Sequence, residues 1–279
     1  MTQTWNDQDA PGLAPIGPMG WLRAVLRAIP LAVLVFGCLL LLLAVRVVEK
    51  PLFGLGRPWT PYITQFVCRN AFRILGVRYH RIGAPMMGAG AVVANHSSWL
   101  DIFALNAAKR IYFVSKEEVA SWPGIGWLAR ATGTVFIKRD RTQATAQIEV
   151  FRARLAAGHK LLFFPEGTST DGQQVLDFKP TLFAAFFDPA LRDQMQIQPV
   201  TLIYRAPEGC DPRTYGWWGD MDFGPHLLAT LAAAKQGSVT VHYHPAIKLT
   251  DYPDRKAVAR ATQKMVSSAL TDALQRPAP

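Results

Sequence analysis

The chain is poor in cysteine, and Cys38, Cys68 and Cys210 show no paired spacing. An odd, scattered set argues against a disulfide framework and fits a reducing compartment. Neither C-x-x-C nor H-E-x-x-H occurs, so two common zinc signatures are missing. His242 and His244 form an H-x-H pair, but no third ligand lies near them in sequence. G-x-S-x-G is absent as well, which leaves a serine hydrolase without its nucleophile elbow. Gly124-x-Gly126-x-x-Ala129 follows Ser121-Trp122-Pro123 rather than a strand, so it lacks the context of a dinucleotide fingerprint. There is no internal repeat and no low-complexity run.

Acidic residues are also scarce. Asp and Glu number 20 against 30 Lys and Arg, for a formal net charge of +10. The imbalance is local, since residues 46–141 hold 14 Lys and Arg against 5 Asp and Glu. Such a surplus points to an anionic partner: a membrane surface, a nucleic acid or a phosphorylated substrate. Nucleic acid is disfavoured because the cations adjoin the most apolar part of the chain.

That apolar part is Ala28 to Val45, 18 residues without a charge. As a helix at ~1.5 Å per residue it reaches roughly 27 Å, just short of a ~30 Å hydrocarbon core. Pro30 falls near its expected start, where proline is tolerated. A signal peptide would begin nearer Met1 and be followed by a small-residue cleavage site. A buried core helix is rarely this leucine-rich, so the stretch reads as a membrane anchor. More Lys and Arg follow it than precede it, which places the remaining domain on the cytoplasmic side of the inner membrane. Residues 1–20, rich in Pro and Gly, read as a flexible tail.

Beyond Pro58 and Pro61, Tyr62 to Leu75 has helical periodicity and ends at Gly76, a plausible C-cap. Gln65, Arg69 and Arg73 form a narrow polar stripe on an otherwise apolar surface. This favours a helix in the lipid interface, its arginines among phosphates. Residues 21–76 are thus expected to form membrane anchor and interfacial helices, and 77–279 a separate domain. There strands are expected at 90–94, 111–114, 134–137, 160–164, 197–204 and 239–243. Helices are expected at 99–108, 143–157 and 254–275, the last capped by Asp254. The alternation indicates an α/β fold with a mostly parallel central sheet flanked by helices.

Chemistry concentrates at the ends of these strands. Asn95-His96-Ser97-Ser98-Trp99-Leu100-Asp101 follows the apolar run 91–94, with Ser97 or Ser98 placed to cap a helix. Asp101 can then fold back on His96, fix its tautomer and stabilise its protonated form, as suits a general base for an alcohol. The bland alternative is a histidine cap with a decorative aspartate. Three further patches stand at strand ends: Gly133 to Arg139, Phe163-Phe164-Pro165-Glu166-Gly167-Thr168, and Ile197-Gln198-Pro199-Val200. Taken singly, Lys138-Arg139 reads as a solvated strand end, Pro165-Glu166-Gly167 as a turn and Pro199 as the mark of an edge strand.

In this order the four patches, N-H-x-x-x-x-D, G-x-x-F-I-x-R, F-P-E-G-T and a strand of the V-P-V type, resemble the glycerolipid acyltransferase family. That family includes 1-acylglycerol-3-phosphate acyltransferases, and the resemblance covers roughly residues 70–250. It implies a membrane-bound O-acyltransferase of lipid biosynthesis that takes acyl-CoA or acyl carrier protein as donor and a lysolipid as acceptor. In that scheme His96, oriented by Asp101, deprotonates the acceptor hydroxyl, and main-chain N–H groups at a helix N-terminus suit the oxyanion. Arg139, with Lys138, would hold the anionic head of the acceptor, and Glu166, Gly167 and Thr168 would shape its site. No cofactor, metal or covalent enzyme intermediate is called for.

Many members carry an arginine just after the F-P-E-G-T threonine, whereas this chain has Ser169. The run Glu166 to Gly172, with Phe178-Lys179 and Trp217-Trp218-Gly219-Asp220-Met221, resembles the lyso-ornithine lipid acyltransferase branch. Lys179 could replace the missing arginine, so both lyso-ornithine lipid and lysophosphatidate remain as acceptors. The rival functions are a lipid hydrolase and a basic membrane-binding protein without catalysis. The latter would have no use for His96 and Asp101 together.

Overall fold

The computed structural model describes residues 5–6, 9–13, 15–88, 90–122, 124–137, 144–193 and 195–276. Two helices, α1 (Pro18–Phe53) and α2 (Thr60–Leu75), precede β1 (Arg78–Ile82), β2 (Gly90–Ala94), α3 (Asp101–Ala108) and β3 (Tyr112–Lys116). There follow α4 (Ile125–Thr132), β4 (Val135–Ile137), α5 (Ala144–Ala156), β5 (Lys160–Phe163), a 3-10 stretch at Pro180–Phe187 and α6 (Pro189–Arg192). The chain closes with β6 (Gln196–Arg205), α7 (Phe223–Ala232), β7 (Ser238–Tyr243), β8 (Ile247–Lys248) and α8 (Arg255–Gln275).

The strands form one sheet in the order β1-β7-β6-β2-β5-β3-β4, with β8 also on β6. All its pairings are parallel except β6 with β7 and β6 with β8. Helices cover both faces, which is why the central strands read as unbroken apolar runs. Val92, Ala94, Leu162 and Leu202 pack on one side with Phe72, Leu75, Leu100 and Leu105. Ala91, Val93, Leu161, Phe163 and Ile197 pack on the other with Phe183, Phe186, Val258 and Val266.

Local signals fix several boundaries. Gly76 ends α2 with φ +80°, donating its N–H to Phe72 and Arg73, a left-handed turn that glycine takes without a steric cost. Asp254 caps α8, its Oδ1 accepting from Ala257 N at 2.8 Å, worth about 1 kcal/mol. Other elements escaped the hydrophobic pattern. β1 is an exposed edge, Arg78-Tyr79-His80-Arg81-Ile82, that pairs only with β7, so nothing in it alternates. Gly126 lies in α4 because a Cβ there would stand 2.2 Å from the Ala120 carbonyl; its glycine serves close packing rather than a nucleotide.

Pro199 sits in a central strand, not at an edge. β8 pairs with residues 196–197 of β6 and β7 with residues 200–205. Proline occupies the gap between these two partners, where its missing N–H interrupts no ladder. The Gln198 amide fills the neighbourhood, accepting from Met86 N and donating to the Ala84 and His244 carbonyls.

Helix α1 is 36 residues long and apolar enough to cross a membrane by length and composition. It starts at Pro18 rather than near Ala28, so Pro30 lies inside it; Ala24 and Ala28 pack into the core beside Leu231 and Ala232, which carries the helix upstream. Arg23 and Arg27 donate to the carbonyls of Leu231, Ala232 and Ala233 at the end of α7. At the other end Glu49 accepts from the N–H groups of Trp59 and Thr60, where α2 begins. Cations at a helix C-terminus and a carboxylate at an N-terminus both suit the helix dipole. Between these ties Val33, Phe36, Leu40 and Leu43 face outward.

Candidate active site

The site stands at the C-terminal ends of β2 and β5, where parallel strands release loops toward open space. Asn95, the first residue after β2, is fully buried. Its amide exchanges two hydrogen bonds with Leu202 on β6, at 2.7 and 3.0 Å. The loop is thereby fixed to the sheet before it turns. Further along, the carbonyls of His96 and Ser97 accept from Thr170 N and Trp217 N.

Asp101 collects the loop around one carboxylate. Its Oδ2 lies 2.7 Å from His96 Nδ1 and accepts from Ser97 N at 2.8 Å and Ser98 N at 3.1 Å. Its Oδ1 accepts from the Tyr204 hydroxyl at 2.7 Å. A carboxylate removed from water needs such donors to offset lost hydration. The expected serine cap is present at Ser98, whose Oγ accepts from Leu100 N at 3.3 Å, while helix α3 itself begins at Asp101. Asp101 reaches backward to Ser98 N, the reciprocal half of a capping box.

The His96 ring is held on two sides. Asp101 engages Nδ1, and Phe164 stacks on the ring at 4.0 Å and 10°. The side chain keeps 22% of its surface exposed, and Nε2 is the nitrogen left with a lone pair for an incoming hydroxyl proton. Behind the loop, Trp99 Nε1 donates to His226 Nδ1 at 2.9 Å, and burial pushes His226 down toward its neutral form.

Glu166 is buried and spends both oxygens on the main chain. Oε1 accepts from His96 N and Oε2 from Leu176 N, each at 2.7 Å. Burial pushes its carboxyl up to about 8, against the two N–H donors, and nearby Asp101 pushes the same way. Gly167 turns the chain with φ +74°. Thr168 Oγ1 accepts from Trp5 N at 3.4 Å, and the Trp5 ring, buried, packs on Trp218. Lys179 is exposed, joined by its N–H to the Pro165 carbonyl, and its charge acts on Glu166.

His96, Asp101, Glu166, Gly167 and Thr168 thus converge, with Lys179 at the margin. Lys138 and Arg139 lie outside the described residues. Tyr204 was not legible beforehand: in an apolar strand its spacing matches any core tyrosine. The His242 and His244 rings lie 4.4 Å apart, tilted by 33°, and His244 Nε2 meets Thr201 Oγ1 at 2.8 Å. Among the described residues no group of three His, Cys, Asp or Glu could hold a metal ion.

Residues 81–203 match the protein family described as Acyltransferase. The chain is 55% identical over 266 residues to a lyso-ornithine lipid O-acyltransferase of Rhodobacter capsulatus, covering 95% of this chain and 96% of that one. It is 40% identical over 183 residues to a 1-acyl-sn-glycerol-3-phosphate acyltransferase of Neisseria gonorrhoeae, covering 65% and 69%. A 1-acyl-sn-glycerophosphate acyltransferase of Thermotoga maritima shares the fold, with a TM-score of 0.64 at 19% identity over 93% of this chain and 98% of that one.

Proposed function

The chain belongs to the acyltransferase family, and from that premise we propose that it O-acylates a lysolipid, with lyso-ornithine lipid as the preferred acceptor. The observation that carries the chemistry is the His96–Asp101 contact, with Nε2 left free on a partly exposed ring. His96 Nε2 takes the proton of the acceptor hydroxyl while Asp101 stabilises the imidazolium that forms. The alkoxide oxygen attacks the thioester carbonyl of acyl-CoA or an acyl carrier protein. Collapse of the tetrahedral intermediate forms the ester and expels a thiolate, which recovers the proton from His96. Glu166 and Tyr204 act through position, the first holding the His96 main chain and the second the Asp101 carboxylate.

Ser169, standing where many relatives have an arginine, supports an acceptor without a terminal phosphate, as does the high identity to the Rhodobacter capsulatus enzyme. Lysophosphatidate is the second reading, favoured by the exposed cation Lys179 beside Glu166. Lys138 and Arg139 would then complete a phosphate clamp.

The enzyme works at a membrane. Helix α1 is tied to α7 at Arg27 and to the start of α2 at Glu49, roughly 33 Å apart at ~1.5 Å per residue. Both ends are held by the same domain, so the helix lies along one leaflet rather than across the bilayer, its apolar stripe in lipid. The surplus of cations after Val45 supports the cytoplasmic leaflet of the inner membrane, where the donor reaches the site from the cytosol.

The test is acyl transfer from one labelled thioester by purified enzyme, with lyso-ornithine lipid and lysophosphatidate in parallel micelles and His96→Ala beside wild type. Lyso-ornithine lipid is expected to give the higher kcat/KM, and His96→Ala to lose transfer to both. Preference for lysophosphatidate overturns the acceptor assignment, and full activity of His96→Ala overturns the mechanism.

A further inference from the structure

At the opposite, N-terminal end of the same strands lies a second concave site, a cavity of about 230 Å³. Its walls carry Arg57, Lys109, Arg110, Tyr112, His159 and Lys160, and no acidic side chain lines it among the described residues. Three intervals of β5, about 10 Å at ~3.3 Å each, separate Lys160 from Phe163, so this site is apart from the loops that hold His96.

Its cations are gathered without counter-charge. Arg57 donates to the Ala131 carbonyl at 2.8 Å. The Arg110 guanidinium lies 4.8 Å over the Tyr62 ring, and among the described residues Lys109 Nζ meets the Met87 sulfur alone, at 3.7 Å. Lys160 is buried and makes no ion pair with a described residue. Glu49, the acid acting on Arg57, is already engaged by Arg46 and Thr60. The His159 ring stacks on Tyr112 at 3.9 Å, and its Nδ1 lies 3.4 Å from Arg154. His159 Nε2 is buried and meets no hydrogen-bond partner of ordinary geometry among the described residues, though the Leu55 main chain acts on the ring.

A fold that crowds buried cations together incurs desolvation and mutual repulsion. Burial, Lys109 and Arg110 all push the Lys160 ammonium down, and burial with Arg154 and Arg57 pushes His159 down to about 4. An anion in the cavity offsets the repulsion among Arg57, Lys109, Arg110 and Lys160. The donor set, guanidinium forks with an ammonium, matches the several oxygens of a phosphate group.

The surroundings identify where that phosphate comes from. Arg57 belongs to the segment that joins α1 to α2 and Pro61 to the first turn of α2, beside the exposed apolar residues Leu52, Phe53, Trp59 and Tyr62. Tryptophan and tyrosine favour the depth of lipid head groups. We propose that this cavity binds the phosphate of an anionic phospholipid at the membrane surface, as a site separate from the acyl-transfer centre. It does not rest on the acceptor assignment or on acyl transfer.

Thermal unfolding of the full chain in neutral detergent micelles tests this directly. Dihexanoyl-phosphatidylglycerol, dihexanoyl-phosphatidylcholine and inorganic phosphate are titrated separately at matched ionic strength. Phosphatidylglycerol is expected to raise Tm saturably and phosphatidylcholine not to raise it. Arg110→Gln, an exposed position, should weaken the phosphatidylglycerol midpoint, and the Arg110→Gln/Lys160→Met pair should weaken it at least tenfold. Lys160→Met alone should melt no lower than wild type without ligand, because it removes a charge that Lys109 and Arg110 repel. A saturable shift with inorganic phosphate that phosphatidylglycerol cannot match keeps the anion site and overturns its lipid source. Equal phosphatidylglycerol shifts in wild type and Arg110→Gln overturn the site.

Discussion

The two ends of the central sheet treat buried charge in opposite ways. At the C-terminal end Asp101 is surrounded by four donors and Glu166 by two main-chain N–H groups. At the N-terminal end Arg57, Lys160 and His159 face a cavity with no acid on its walls among the described residues. The first end is complete within the chain, as a preorganised reaction site must be. The second end is completed only by something added. A difference in electrostatic closure therefore separates groups set to act from groups set to bind.

The sharpest way to break this comparison is at the dyad. His96→Ala and Asp101→Asn should each lower kcat by roughly 10²–10⁴, the range set by losing a positioned general base. Steady-state turnover at saturating acceptor measures it, with Tm recorded to show that both variants fold. Turnover of Asp101→Asn above half of wild type would remove the carboxylate from the mechanism.

Tyr204→Phe leaves Asp101 Oδ1 without its hydroxyl donor. We expect a loss of about 1–3 kcal/mol in stability and roughly tenfold in kcat, with KM for the thioester unchanged. Chemical denaturation and initial rates separate the two effects. A kcat equal to that of wild type would make Tyr204 a core residue only.

Glu166 gives the comparison a pH signature. Its folded carboxyl titrates near 8 because of burial, above the ordinary ~4.3 of an unfolded glutamate. The folded state then holds the proton through a window in which the unfolded state has released it. Its contribution is fully present below about pH 4, declines as pH rises and is lost above about 8. Tm measured from pH 5 to 9 should fall more steeply in wild type than in Glu166→Gln, although the variant starts lower for want of one acceptor. Parallel pH slopes would place the proton elsewhere.

The smallest effect expected is at the basic end. Lys160→Met should raise the ligand-free stability by about 1 kcal/mol, because an ammonium repelled by Lys109 and Arg110 is replaced by an apolar chain of similar length. Denaturant midpoints in phosphate-free buffer measure the change. A decrease would mean that the ammonium already has a partner.

Much of this was legible without coordinates, for definite reasons. Continuous apolar runs marked β2, β5 and β6 because both faces of the sheet are covered. Gly76 and Asp254 marked helix ends because capping is local chemistry. β1 was not legible, since its residues answer to one neighbour, β7, more than 150 positions away. Arg69 was expected among lipid phosphates, but its Nε donates to the Ala107 carbonyl at 2.7 Å, at the end of α3. Helical periodicity groups a polar stripe, but it does not say which neighbour the stripe will face.

By itself the sequence determined the chemistry available: a histidine and an aspartate five positions apart after an apolar strand, a glutamate in a turn after another, and a basic, leucine-rich amino-terminal third. Tertiary structure decided how those groups are used. It brought Tyr204 from the distant β6 onto Asp101, turned Glu166 toward the His96 main chain, and joined Arg57 to Lys160 across more than 100 residues. Contacts between positions near in sequence are set by backbone geometry and can be read from spacing. Contacts between distant positions depend on which strands lie side by side, and the sheet order emerges only when the whole core is buried at once.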